Sequence, residues 1–303
     1  MSIKPKFNMY KFIKMEILIN LLILCITLFV YIHIYNQYKT SNYLEIYEMD
    51  NISLTKDKFE ELCELKQPII LDNIRILNFD IPSIKDNYGN FEVKLINRET
   101  KDTIIPIKLV TALELLNKDT SGNYISENNK EFLEETSLIK KFSENDMFLR
   151  PIGTSSIEYD IIIGSVNSYT QLSYNLNSRN YLSVLSGSVE VTLCPPKDHK
   201  YLFVNKDYDN FKFTSMIDVY APQPEYRSEF DKVKLLRIIL TPNKLLQIPA
   251  YWFFSIKIIE TDTIVSNFKY DTYMKSLSTV PELFIKFLQN NNIKKNLPKV
   301  GDV

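Results

Sequence analysis

From residue 17 to residue 34 the chain reads ILINLLILCITLFVYIHI, with Asn20, Thr27 and His33 as its only clearly polar members and Tyr35 next in line. In hydrocarbon every backbone N–H and C=O must be satisfied within its own segment, so an isolated run of this kind can only be a helix. Roughly 20 residues at 1.5 Å per residue cross a core of about 30 Å, and residues 17–35 are just long enough. A cleavable signal peptide is the competing reading, because Lys4, Lys6, Lys11 and Lys14 resemble its basic leader. Against it, the apolar run is too long, and Tyr31, His33, Tyr35 and Tyr38 stand where small residues should precede cleavage. The expectation is an uncleaved, single-pass transmembrane helix after a short basic tail over 1–16. Four lysines before the span, against Lys39 and the acids Glu45, Glu48 and Asp50 behind it, put the N terminus in the cytosol, a type II arrangement.

Residues 36–55 read as a polar stalk, and 56–303 as one domain. Thr55 precedes an amphipathic helix over 56–65, which Gln67-Pro68 ends, and Ile69-Ile70-Leu71 then reads as a buried strand. A strand or hairpin is expected around 91–96, with helices over 107–116 and 130–142. From Tyr159 onward the chain changes to short β-branched and aromatic runs: 161–163, 181–185, 189–193, 235–240, 245–248, 255–259 and 263–268. Seven short strands at this spacing predict a sandwich or barrel, and an apolar helix over 281–289 is expected to cover an edge. Charge excludes nucleic acid as a partner, since 36 Lys and Arg face 37 Asp and Glu with no basic block. Cys25, Cys63 and Cys194 give no disulfide framework and no metal spacing, though a Cys63–Cys194 bridge stays open.

The stretch from Leu245 to Ile256 holds the only Trp: Leu-Leu-Gln-Ile-Pro-Ala-Tyr-Trp-Phe-Phe-Ser-Ile, two apolar runs about a Pro-Ala-Tyr corner. Upstream stand Ile162-Ile163-Gly164, then Thr170-Gln171-Leu172-Ser173-Tyr174-Asn175, then Asn180 through Gly187 and Val189 to Pro195-Pro196. Together these pieces resemble cupin-like JmjC-domain proteins, whose patterns read I-G-x5-T-x2-H-x-D, N-x6-G-x-K-x-apolar-x-P-P and I-P-x-x-W-W-H. The resemblance covers about residues 55–275. It implies a mainly β (α+β) fold, a double-stranded β-helix of the cupin or jelly-roll kind with N- and C-terminal helices, and a diverged member of the type found in large DNA viruses. A host or a virion membrane would then hold the anchor. Many such proteins are Fe(II) and 2-oxoglutarate dependent oxygenases.

The departures fall where that chemistry would be. The H-x-D positions are Ser173 and Asn175, and the distal His position is Phe254, so none of the three offers a strong ligand to Fe(II). A one-residue shift brings in Tyr174 and Leu176 instead, which serve no better. The lysine expected to pair with the 2-oxoglutarate carboxylate is Val189, although Thr170, at a cosubstrate-contacting position, is retained. His33 lies in the span, leaving His199 as the one available imidazole, in what reads as a surface loop. The preferred expectation is therefore a catalytically inactive module with no metal and no cofactor, binding an unidentified protein or small molecule. Fe(II) and 2-oxoglutarate are expected only if the metal site was rebuilt from His199 with Asp198, or from Asp207, Asp209, Asp218, Glu225, Glu229 and Asp231. A cofactor-free sugar or acyl-transfer enzyme is the third possibility, unsupported by any Ser-His-Asp or paired-carboxylate spacing. Tyr174, Tyr181, Tyr251 and Trp252 are candidates for an aromatic pocket fitting a planar or sugar-like ligand; the other reading packs them in the core. The insertion over 196–233 is a candidate partner-binding loop.

Overall fold

The computed structural model describes residues 9–292 apart from 75, 78, 101, 102 and 209. Lys4 and Lys6 of the expected tail, and Asp209 of the acidic insertion, lie outside the described residues. Helix α1 runs Met9–Gln37. Its Ile13–Gln37 part, with a mean hydropathy of 2.6, is long and apolar enough to cross a membrane.

Two sheets follow. In chain order their strands are β1 (Tyr47–Asp50), β2 (Ile69–Asp72), β3 (Glu92–Asn97), β4 (Thr103–Lys108), β5 (Tyr124–Ser126), β6 (Thr154–Gly164), β7 (Ser173–Tyr174), β8 (Arg179–Ser186), β9 (Val189–Cys194), β10 (Val204–Asp207), β11 (Lys212–Ser215), β12 (Leu236–Leu240), β13 (Leu245–Ile248), β14 (Phe253–Ile258) and β15 (Ile264–Thr272). The larger sheet has the order β1-β2-β13-β8-β15-β6-β5-β3-β4, the smaller β10-β11-β7-β14-β9-β12. From β6 to β9, and again from β12 to β15, the chain steps from one sheet to the other at each strand. That winding is a double-stranded β-helix.

Alternation of side chains along each strand divides the core into three. Leu182, Val184, Ile162 and Val265 of the larger sheet meet Val191, Leu193, Ile256 and Ile258 of the smaller one in the interior. On the outer face of the larger sheet, Tyr181, Phe268 and Tyr270 pack under Phe59, Leu113, Phe132 and Phe142. These come from helices α2 (Lys56–Glu64), α4 (Leu109–Lys118), α5 (Lys130–Glu135) and α6 (Leu138–Asn145); α3 spans Ile81–Tyr88, and the short α7 spans Arg227–Phe230 in the insertion. The outer face of the smaller sheet, with Tyr174, Phe253 and Cys194, is covered by Leu202, Phe213 and Val219 of the insertion. Gly187 joins β8 to β9 at φ +71, and a Cβ there would lie 2.8 Å from the Thr263 Cα, so both conformation and space require glycine.

Several expectations are corrected. The stalk is not free over its whole length: Tyr47–Asp50 pairs in parallel with β2, and Leu54 is buried in the core. An unpaired strand edge on β2 supplies the backbone partners that turn this polar stretch into β1. The helix expected over 130–142 breaks at Ser137, φ 58, where the Thr136 hydroxyl donates to the Phe132 carbonyl at 2.6 Å. The insertion contributes the hairpin β10–β11, which extends the smaller sheet through β11 and β7. Cys63 and Cys194 are both free and lie on opposite outer sides of the two sheets, one on α2 and one on β9 beneath the insertion, so they cannot form a bridge.

Candidate functional site

The corner after β13 carries the chain from the larger sheet into the smaller. Pro249 ends the strand, the Trp252 N–H donates to the Pro249 carbonyl at 3.3 Å, and Tyr251 takes a left-handed backbone, φ 67. A tyrosine in that conformation is costly unless its surroundings hold it. Here its N–H donates to the Asn175 carbonyl at 3.0 Å. Beyond the turn, side chains alternate: Trp252 and Phe254 enter the interior, whereas Tyr251 and Phe253 face the insertion.

Phe254 lies directly across the ladder from Ser173 on β7 and from Leu193 on β9, so the three share the interior face. Asn175 follows at the end of β7, its Nδ2 buried without a partner in the protein. A hydroxyl, an amide and a phenyl ring do not supply the two imidazoles and one carboxylate that hold Fe(II). Val189 is buried in the same interior, opposite Leu240 and Ile258, with no charge to receive a carboxylate. The Thr170 hydroxyl is occupied, accepting the Ile256 N–H at 2.9 Å.

His199 lies outside the barrel wall, with its ring 6.1 Å from Tyr174 and 5.9 Å from Phe253, both outward-facing residues. A rebuilt site joining it to the interior is therefore ruled out by the sheet between them. The described insertion acids do not converge either. Asp218 takes the Tyr169 hydroxyl and an ion pair with Arg98 at 3.5 Å, and Glu229 pairs with Lys232. Among the described residues no cluster of three His, Cys, Asp or Glu side chains could hold a metal ion.

The four aromatic candidates separate. Tyr181 is buried under the helices on the larger sheet, and Trp252 fills the interior, its Nε1–H donating to the Lys66 carbonyl at 3.3 Å. Tyr174 and Tyr251 do meet, with centroids 6.2 Å apart, in a cleft of about 330 Å³ outside the smaller sheet. Phe213, Tyr208 and His199 complete its wall on one side, and Tyr38 and Glu282 on the other. Phe213 stacks on Tyr174 at 5.1 Å.

Two features of this region carry no sequence motif. Asn180 pairs with Ile248, and Asn267 with Leu182, so both asparagines face the interior. Asn180 Nδ2 and Oδ1 and Asn267 Oδ1 have no partner in the protein, and the two residues stand on a diagonal of adjacent strands. Asp160, opposite Asn267, accepts the N–H groups of Asn128, Asn129 and Ile161 at 2.9, 2.7 and 2.8 Å. Burial pushes its carboxyl up to about 6, against the pull of Lys269 and those donors. Parity along the strands, counted from Leu182 and Val265, would have flagged Asn180 and Asn267 as inward; nothing local marks them.

Lys275 is the second. Only 1% exposed, it donates to the Tyr251 hydroxyl at 3.1 Å, and its ammonium lies 4.5 Å over the ring. Burial lowers its pKa from 10.5 to about 8, with Asp271 partly opposing. The folded protein thus binds fewer protons at Lys275 than the unfolded chain between those values, and stability must rise with pH through that window. Comparing thermal unfolding of the wild type and Lys275→Met at pH 8 and pH 9.5, the wild type should gain relative to the variant. The full window from about 8 to 10.5 is worth up to about 3 kcal/mol. Parallel profiles would show that the amine is not desolvated.

Comparison with known proteins agrees with this architecture. A family model described as a cupin-like domain matches residues 82–276. The chain is also similar to HSPB1-associated protein 1 of Rattus norvegicus and of Homo sapiens, 23% identical over 137 residues in each case, or 45% of this chain. The matched stretch covers only 29% and 28% of those two proteins' own length.

Proposed function

Because this chain belongs to the cupin-like domain family, we propose that it is a membrane-anchored cupin-like binding module whose Fe(II) and 2-oxoglutarate site has been lost. One observation carries the loss: Phe254 stands where the last metal ligand of the resemblance would be, in the hydrocarbon interior and across the ladder from Ser173. The residual polar character supports binding. Unpaired amide atoms of Asn175, Asn180 and Asn267 are costly to leave buried, and a small polar guest with its own donors and acceptors relieves that cost. Anchoring rests on α1, with the N terminus cytosolic. The abundance of Ile, Asn, Lys and Tyr and the scarcity of Gly fit a chain of the large-DNA-virus type.

The test uses the full chain in detergent. After anaerobic loading with Fe(II) and desalting, metal analysis should find no stoichiometric iron, and addition of 2-oxoglutarate and oxygen should yield no succinate. One iron per chain together with succinate formation would overturn the proposal in favour of an oxygenase.

A further inference from the structure

The last described helix presents the wrong face to solvent. Helix α9 (Val280–Asn292) was expected to cover an edge of the domain with its apolar side. Instead Glu282 and Lys286, one turn apart, are its half-buried residues: Glu282 lines the aromatic cleft, and the Lys286 ammonium lies 5.5 Å over the Phe211 ring. Leu283, Phe284, Phe287 and Leu288 point away from the protein, with Phe284 58% and Phe287 61% exposed. At about 100° per residue these four occupy an arc opposite Glu282 and Lys286, so the stripe is continuous. A helix facing water has the reverse pattern, and a contiguous exposed apolar face marks a binding surface.

Position identifies what covers it. Tyr38, the residue that follows α1, donates its hydroxyl to the Ser278 carbonyl at the end of helix α8 (Tyr273–Ser278), and α8 packs against α1. Helix α9 begins two residues after that contact. Its exposed face therefore starts where the apolar α1 ends, in a zone where Tyr31, Tyr35, Tyr38 and Tyr43 are also exposed, as aromatic residues are at a membrane–water boundary. We propose that α9, with Tyr273 and Leu277 of α8, lies in the headgroup–acyl boundary of the bilayer that α1 crosses, burying Leu283, Phe284, Phe287 and Leu288 among the lipids. The partner is the lipid surface itself, bound through apolar area. The inference rests on the reading of α1 as a membrane span. One consequence follows for the site: the cleft of Tyr174 and Tyr251, which Tyr38 and Glu282 also line, lies beside the membrane surface.

The chain contains its own control. Cys25 is exposed within α1 while Cys63 and Cys194 are buried, so a thiol-reactive fluorophore on the full-length protein labels Cys25. A second chain, Cys25→Ser with Phe287→Cys, carries the probe on α9. Both are reconstituted into phosphatidylcholine vesicles containing lipids with a nitroxide either deep on the acyl chain or near the headgroup. The expected result is that the deep nitroxide removes most of the emission at Cys25. At position 287 the shallow nitroxide removes most of it, whereas aqueous iodide has little effect. Adding Phe284→Asp and Leu288→Asp should abolish most of the shallow quenching at 287, and the same pair in the Cys25-labelled chain should leave that signal unchanged. Quenching at 287 by iodide but not by nitroxide would place α9 in water. Protection from both, with concentration-dependent crosslinking of the 287 thiols, would assign the face to a second copy. Either outcome overturns the proposal while leaving α1 as a span. Loss of nitroxide quenching at Cys25 would instead refute the span, and the proposal with it.

Discussion

Replacing Trp252 with alanine is expected to destabilise the protein by about 3–5 kcal/mol, the range for deleting a large aromatic ring from a packed core. The side chain is fully buried between the two sheets, among Ile70, Leu246, Ile248 and Phe254. It also does more than fill space. Its Nε1–H donates to the Lys66 carbonyl at 3.3 Å, tying the turn after α2 to the corner that moves the chain from β13 to β14. Truncation leaves a cavity and takes the hydrogen bond from the half-buried Lys66 carbonyl, the cavity being the larger loss. Denaturant unfolding followed by far-ultraviolet circular dichroism measures the loss, because the variant has no other Trp for fluorescence. Trp252→Phe should cost much less, since it retains most of the ring volume. A loss below about 1 kcal/mol for the alanine variant would mean that the corner is not packed as described.

Asp146→Ala should have a comparable effect, about 3–5 kcal/mol, chiefly because two buried tyrosine hydroxyls lose their acceptor. The carboxylate is fully buried and accepts hydrogen bonds from the Tyr159 hydroxyl at 2.5 Å, the Tyr270 hydroxyl at 2.7 Å and the Arg150 Nε–H at 2.7 Å. These donors come from β6, β15 and the turn after α6, so one side chain fastens the helical layer to the larger sheet. Removing it strands two buried hydroxyls and a guanidinium that has lost its counter-charge. Asp146→Asn keeps acceptor capacity without the charge, and its cost should fall between wild type and alanine in the same unfolding measurement. If the asparagine and alanine variants were equally destabilised, the charge and not the hydrogen bonding would be the main contribution.

The two residues differ in how visible they were. Trp252 stands in a stretch whose apolar runs and Pro-Ala corner marked a strand turning inward, and the placement of Phe254 beside it followed from strand alternation. Asp146 sits in a polar segment after an amphipathic helix, where nothing in the local sequence separates a buried acceptor from a solvated acid. Its role depends on two tyrosines 13 and 124 residues away along the chain. Lys275 repeats the lesson: an interior ammonium held over Tyr251 reads in sequence as an ordinary surface lysine.

Strand alternation was also insufficient to group the aromatic candidates. Tyr174 and Tyr251 share a cleft because they face outward from the smaller sheet, but Tyr181 looks away from the opposite sheet and Trp252 looks in. Each assignment requires knowing which sheet a strand joins, and the alternating winding makes neighbours in sequence belong to different sheets.

The sequence by itself determined the apolar α1, most strands from Tyr159 onward, the corner at 249–252 and the absence of imidazole and carboxylate from the expected ligand positions. Those properties are local: hydropathy, periodicity and residue chemistry are carried by the segment that shows them. The tertiary structure alone decided that residues 47–50 form a strand, that His199 is walled off from the interior, that Asn180 and Asn267 stand on one diagonal of adjacent strands, and that α9 turns its charges inward and its phenylalanines out. Each of these depends on a partner surface supplied by a distant part of the chain, and amphipathicity states that a helix has an apolar face without stating what that face will meet.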